Sequence, residues 1–271
     1  MAIHFGENFD RSLSYANTAF RSFGGWFVLI LLFAAAFCGI ALLAAGALCM
    51  AFGMLYIVDP AFAANEVALM FASVLPAVSV VMIAVGILLT VVTECFVYGV
   101  MMRVFRGGEL SLSRPGRLFV EGVLGMLIFF IYMIPYTVVS VLTMFGPLNN
   151  MVYLILVGVV VPLVVLIISM IVGINGVIKY AKEGRFSAAF HVKELCRVVS
   201  DIGWLRYLGN VLLMSLIVGG AEVILVMVPV VGVVLLVVLL PFLTIFQARF
   251  MANLYESVTE EERAEAAEQE I

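Results

Sequence analysis

Glu94 is the acid in this sequence with the most chemistry to offer. It stands in Thr90-Val91-Val92-Thr93-Glu94-Cys95-Phe96-Val97-Tyr98, inside a long apolar run. A carboxylate at bilayer depth costs about 3 kcal/mol or more, so it is kept where it meets a partner or a wet cavity. On a helix, Thr90, Glu94 and Tyr98 share one face at i, i+4 and i+8. That face could hold a proton or a cation, or form the base of a polar cavity. The competing role is structural: an acid near a helix end, bonded to Tyr98 or to arginines of neighbouring segments, which is the more economical reading. Arg103 lies ~13 Å further along a helix, too far to pair with Glu94 directly. Asn175 and Gln247 match Tyr98 in a repeat described below. They could converge with it at a three-fold pseudo-axis, although interhelical hydrogen bonding alone would justify them. Glu222 is expected to reach headgroups at the far face, and Glu121, at the start of a span, either to snorkel or to neighbour Arg117.

Familiar catalytic patterns are missing: the sequence has no Gly-rich loop ending in Gly-Lys-Ser/Thr, no His-Glu-x-x-His and no Gly-x-Ser-x-Gly. With only His4 and His191, both outside the apolar runs, a histidine metal site or a Ser-His relay has almost nothing to draw on. Cys38, Cys49, Cys95 and Cys196 lack C-x-x-C spacing and read as small buried hydrophobes. No catalytic residue, metal site or cofactor is expected, and the chain is not expected to be an enzyme.

The elements that must position these groups follow from composition. Of the 271 residues, 65% are hydrophobic and 12% charged, and the mean hydropathy is +1.23. A soluble globule has no means of hiding that much apolar surface. The composition excludes a nucleic-acid reader, a disulfide-stapled secreted domain and an ordinary cytosolic enzyme. Continuous apolar runs cover Trp26 to Val58, Val74 to Val104, Leu118 to Phe145, Met151 to Ile178, Leu205 to Val228 and Val230 to Met251. Each is too long and too uniformly apolar for a barrel strand, so the expected class is an all-α integral membrane protein with six spans. The first run is also too long for a signal-peptide core and is preceded by Glu7 and Asp10, so it is read as a span.

All 14 Lys and Arg fall on one side of this scheme. Arg11 and Arg21 precede the first span, and Arg103, Arg106, Arg114 and Arg117 lie around the second connection. Lys179, Lys182, Arg185, Lys193, Arg197 and Arg206 lie around the fourth, and Arg249 and Arg263 follow the last span. The alternate connections, Asp59 to Ser73, Gly146 to Asn150 and Met227 to Gly232, carry none. By the positive-inside rule both termini are cytoplasmic. The net charge of -4 reflects the C-terminus, where seven of the 18 acids follow residue 255. Residues 256–271 read as a solvated acidic tail, and residues 1–255 as a single membrane domain.

Internal order is visible at three points. Phe9, Leu13, Ala16, Phe20 and Phe23 recur at helical spacing opposite Asp10, Ser14, Asn17 and Arg21. That pattern predicts a helix lying in the headgroup plane with its apolar face in the acyl boundary. The pattern returns before the fifth span. Ala188, Val192, Leu195, Cys196, Val199 and Ile202 oppose Lys193, Glu194, Arg197 and Asp201, with Phe186 and Phe190 misplaced on the polar side. A shorter version, Leu112 to Gly122, has Ser113 as N-cap and Pro115 in its first turn. Span exits match as well: Tyr98-Gly99-Val100, Asn175-Gly176-Val177 and Gln247-Ala248-Arg249. The expected plan is three hairpin repeats, about 8–107, 108–185 and 186–255, each preceded by a cytoplasmic-side interfacial amphipathic helix. Gly39, Gly46 and Gly53, at seven-residue intervals, let a neighbouring helix approach closely. Pro76, Pro135, Pro162 and Pro241 predict kinks.

The string Gly99-Val-Met-Met-Arg103-Val-Phe-Arg106-Gly107-Gly108-Glu109, followed by Ser113-Arg-Pro115, Glu121-Gly122-Val-Leu-Gly125 and Ile131-Tyr132-Met133-Ile134-Pro135, resembles the domain-of-unknown-function 4013 family. Tyr180-Ala181-Lys182-Glu183-Gly184-Arg185-Phe186 and the Val228-Pro229-Val230-Val231-Gly232 turn extend the likeness over about residues 95 to 255. The resemblance implies a prokaryotic polytopic protein of the plasma (inner) membrane and supplies no functional residues. The expected role is non-enzymatic: organising a membrane assembly or local lipid, with lipids and a membrane or cytoplasmic protein as partners and no nucleic acid. The alternative is a transport subunit. It would be either a permease whose Arg103, Arg106, Arg114, Arg117, Lys193 and Arg197 dock a cytoplasmic ATPase, or an ion or proton carrier using Glu94.

Overall fold

The computed structural model describes residues 3–18, 23–58, 66–108, 110, 112–145, 150–228 and 230–269, with the side chains of 56–58, 66–73, 154 and 260–269 excepted. Phe20, Arg21, Glu109, Pro229, the connections 59–65 and 146–149, and the side chains of Arg263 and of the tail acids beyond residue 259 fall outside that description.

Among the described residues the chain is almost entirely helical and has no strand. Helix α1 spans Phe5–Thr18, α2 Phe23–Val58, α3 Glu66–Arg106 and α4 Pro115–Met144. A short α5, Met151–Ile155, runs through a π turn at Leu156–Val160 into α6, Val161–Glu183. Next come a 3-10 turn at Phe186–Phe190, α7 at Val192–Ile202, α8 at Trp204–Val226 and α9 at Val231–Gln269. Among the described residues six segments are long and apolar enough to cross a bilayer: Phe23–Leu55, Val74–Arg106, Pro115–Met144, Met151–Glu183, Trp204–Val226 and Val231–Thr259. A 33-residue segment is ~50 Å long against a hydrocarbon core of ~30 Å, so the first two spans tilt or reach past the headgroups.

Glycine decides how the helices touch. Along the α2–α3 seam a Cβ on Gly39 would overlap the Thr90 hydroxyl, and one on Gly46 would lie 2.8 Å from Ile83 Cγ1. The seven-residue glycine stripe therefore is a packing surface, as its spacing predicts. The α3–α4 crossing is closer still: a Cβ on Gly122 would collide with the Cys95 carbonyl, and one on Gly99 with the Leu118 carbonyl. Here two backbones meet directly.

The π turn precedes Pro162, whose missing N–H and bulky ring disturb the normal i to i-4 ladder in the turn before it. Gly184 (φ 70) closes α6 and Gly203 (φ 91) separates α7 from α8. Both supply the positive φ that lets a chain leave one helix sharply.

Three expectations change. The segment from Leu112 is not a separate helix, because α4 starts at Pro115 and continues unbroken across the span. Ser113 does not cap it: the cap position is Arg114, at φ 59 with no side-chain cap bond, while the Ser113 carbonyl accepts from Arg103. No separate surface helix therefore precedes α4 among the described residues. On α1, the apolar face meets protein: Ala16 is fully buried, and Phe9 packs edge-on against Phe246 at 5.1 Å. The C-terminal segment remains helical to Gln269, and Glu256 belongs to the packed structure.

Candidate functional site

Among the described residues the four intramembrane candidates are not joined to one another by hydrogen bonds or ion pairs. Glu94 is half-buried on α3 and forms no ion pair among the described residues. Beside it, Thr93 donates to the Leu89 carbonyl at 2.8 Å, while the buried Thr90 hydroxyl has no partner among the described residues. Tyr98 lies against Gly125 on α4. Asn175, 1% exposed, donates to the Ile171 carbonyl at 2.9 Å and to the Tyr207 hydroxyl of α8 at 3.0 Å. Gln247 is half-buried on α9. Among the described residues no hydrogen bond joins Tyr98, Asn175 and Gln247 to one another, and Asn175 serves the α6–α8 contact.

The cationic end of the bundle is where polar chemistry concentrates. Glu121, near the start of α4, accepts from Arg117 at 2.8 Å and from Arg106 of α3 at 2.9 Å. Arg106 also donates to the Ala181 carbonyl of α6 at 2.7 Å, so one arginine joins three spans. Nearby, the largely buried Lys179 of α6 pairs with Glu194 of α7 and lies 3.7 Å from Glu183. The Lys179 ammonium holds the Glu194 carboxyl below its ordinary range, opposed by slight desolvation. Above this pair, Leu195, Val198, Val199 and Ile202 of α7 are buried, while Lys193, Glu194, Arg197 and Asp201 are exposed. Phe190 stacks on Tyr132 at 5.8 Å; the break at His191 removes Phe186 and Phe190 from the helical wheel that put them on the polar side.

A second node ties the two ends of the chain together. Asn8, fully buried, donates to the Phe250 carbonyl at 3.1 Å, and Asn253 donates to Ser12 at 3.1 Å. Arg249 reaches Glu256, one α9 helix face further on, at 2.9 Å, and its guanidinium lies 5.3 Å from the centroid of the Tyr15 ring. Lys182 of α6 meets the same Glu256 at 2.7 Å. Tyr15 donates to the Gly108 carbonyl at 2.6 Å, and burial raises its hydroxyl pKa against the opposing pull of Arg249. Between α1 and α9 is an open cleft of about 750 Å³, lined by Glu7, Asp10, Arg11, Ser14, Asn253 and Ser257 among others.

Of the candidate docking cations, Arg103, Arg106 and Arg117 gather around Glu121 and the α3–α4 turn. Arg114 and Lys193 are exposed, and Arg197 lies 3.7 Å from Asp201. Asn8, Ser12, Tyr15, Tyr207 and Asn253 did not stand out in the sequence as site residues. The one available signal was the i, i+4, i+8 stripe of Asn8, Ser12 and Ala16, small enough for close helix packing but lost beside the more obvious aromatic stripe. Among the described residues no three His, Cys, Asp or Glu side chains gather to hold a metal ion.

Six apolar helices joined at a charged end define a multi-pass helical membrane protein. Residues 80–239, more than half of the chain, match the family described as protein of unknown function (DUF4013), and the chain belongs to that family. No curated protein and no solved structure matches it.

Proposed function

We propose that the protein is a non-enzymatic organiser of a membrane assembly, set in a prokaryotic plasma membrane with both termini on the cytoplasmic side. The orientation rests on the one-sided placement of all 14 cations. We read the six spans as three hairpins, α2–α3, α4 with α5–α6, and α8–α9, with α1 and α7 lying at the cytoplasmic surface. Matching exit positions support the repeat, since Gly99, Gly176 and Ala248 are all small and all buried.

The observation that carries the organising role is the unused flank of the first hairpin. In its most apolar stretch only 11% of α3 and 17% of α2 is buried, with Val81 and Leu88 widely exposed. Lipid is as apolar as those side chains, so helices associate there through shape and small residues rather than hydrophobic drive. The α2–α3 seam already uses its glycines, and the remaining flank is free for a neighbouring span. A photocrosslinker placed at Leu88 in native membranes is expected to give discrete protein adducts. Adducts to lipid alone would remove the basis for an assembly role.

A carrier role has one observation in its favour, the half-buried Glu94 without an ion pair among the described residues. It requires that Glu94→Gln abolish proton or cation flux in proteoliposomes. Equal flux in variant and parent sinks it.

A further inference from the structure

We propose that the turn between α3 and α4 binds the phosphate of an anionic phospholipid headgroup. Arg103 donates to the Ser113 carbonyl, which places its guanidinium against the turn, next to Arg114. Arg117 follows one helical turn later, and it shares Glu121 with Arg106. Arg103 is also within Coulombic reach of Arg106, Arg117 and Glu121. Three guanidinium groups thus gather where α3 meets α4, and the exposed Arg114 stands in the same short stretch. The acids of the same stretch are Glu121 and Glu109, the latter outside the described residues, so the turn carries an excess of two positive charges.

That excess has unused donors. Arg117 spends its Nε on Glu121 while its side chain remains 65% exposed, and its terminal nitrogens form no hydrogen bond among the described residues. The Arg114 side chain is exposed and has no hydrogen-bond or ion-pair partner among the described residues. α4 begins without a side-chain cap and without an acid in its first turn, which adds the positive end of a 30-residue helix. Planar guanidinium groups with paired N–H donors match phosphate oxygens well.

Depth selects a lipid over a dissolved phosphate. The second span ends at Arg106 and the third begins at Pro115, so the cluster occupies the level where hydrocarbon gives way to headgroups. Cations at that level attract anionic lipid by about a fivefold gain in association per Lys or Arg. The inference goes beyond the organising role and rests on it only for the placement of the six spans in a bilayer.

The test uses the full chain reconstituted in phosphatidylcholine bilayers that contain a trace of spin-labelled phosphatidylglycerol, with spin-labelled phosphatidylcholine as reference. The motionally restricted fraction of each probe gives the selectivity. Selectivity for phosphatidylglycerol is expected, and Arg114→Asn is expected to lower it by up to about fivefold. Asparagine suits the positive φ at this position, so folding is kept, and Arg114→Lys is expected to restore most of the selectivity. Lys193→Gln on α7 is expected to leave selectivity unchanged. The proposal is overturned by three outcomes: no effect of Arg114→Asn, an equal effect of Lys193→Gln, or displacement of phosphatidylglycerol by inorganic phosphate at constant ionic strength. The last outcome would mark a free-phosphate site. Because the readout is taken on dispersed protein, selectivity can be found where the Leu88 crosslink fails, and the two readings fail separately.

Discussion

The two ends of the bundle are held by different physics. At the cationic end, Arg106 joins α3, α4 and α6, Glu256 joins α6 to α9, and Asn8 with Asn253 fastens α1 to α9. Toward the other end, α2 and α3 meet along glycine, and most of the apolar surface faces outward. The difference teaches where specificity can come from in a membrane. Apolar side chains gain little by leaving lipid for each other, so the choice of neighbours must come from charged bonds and from shape. The charged bonds sit where water and headgroups can satisfy whatever the protein does not.

This contrast can be broken at its closest contact first. Gly122→Ala puts a methyl group into the Cys95 carbonyl, and backbone has no rotamer with which to yield. A loss of about 3 kcal/mol is expected in reversible unfolding in detergent. Gly209→Ala, with nothing within 4 Å, is the matched control and should be neutral or gain up to ~1 kcal/mol. Next in size, Glu121→Ala strands Arg106 and Arg117. Glu121 is 11% exposed but Arg117 is 65% exposed, so the expected cost is discounted to about 1 to 2 kcal/mol in the same assay. If both changes proved silent, the cationic end would not be the tighter region.

Smaller effects sharpen the comparison. Gly46→Ala meets a flexible Ile83 side chain and the Ser79 carbonyl at 3.1 Å, so about 1 kcal/mol is expected. A cost as large as that of Gly122→Ala would show the two seams to be equally rigid. The smallest effect concerns pH. Glu194 has a folded pKa below its ordinary value because Lys179 bonds it, so its contribution is present above the unfolded pKa and is lost as pH falls through the folded one. Lower protection of the α7 amides, measured against the intrinsic exchange rate at each pH, is therefore expected on acidification below the usual carboxylate range. Glu194→Gln should abolish that dependence; an unchanged pH profile in the variant would assign it to other groups.

The sequence was most informative where the physics is one-dimensional. Apolar runs named six spans, cations clustered in alternate connections, and Gly39, Gly46 and Gly53 announced a seam. It was least informative where a polar residue has several neighbours within reach. Of the two roles open to Glu121, snorkelling or pairing with Arg117, the pair is formed, but nothing in its spacing pointed to Arg106, 15 positions away. Asn175 was noted for its repeat position, yet its side-chain partner is Tyr207 on α8. Leu112 to Gly122 had the composition of a surface helix, and the chain folded most of it into the first turns of α4.

Sequence by itself determined that the chain is a helical membrane protein, because the solvent for so much apolar surface can only be lipid and lipid permits few backbone shapes. It determined as well which connections carry charge. Tertiary structure alone decided that the Asn8 and Ser12 face of α1 buries against α9, that Glu256 joins the core of charges rather than the tail, and that Arg106 bonds α4 and α6 at once. Those outcomes depend on which helix ends arrive side by side, and a local pattern holds no record of a neighbour more than a few turns away.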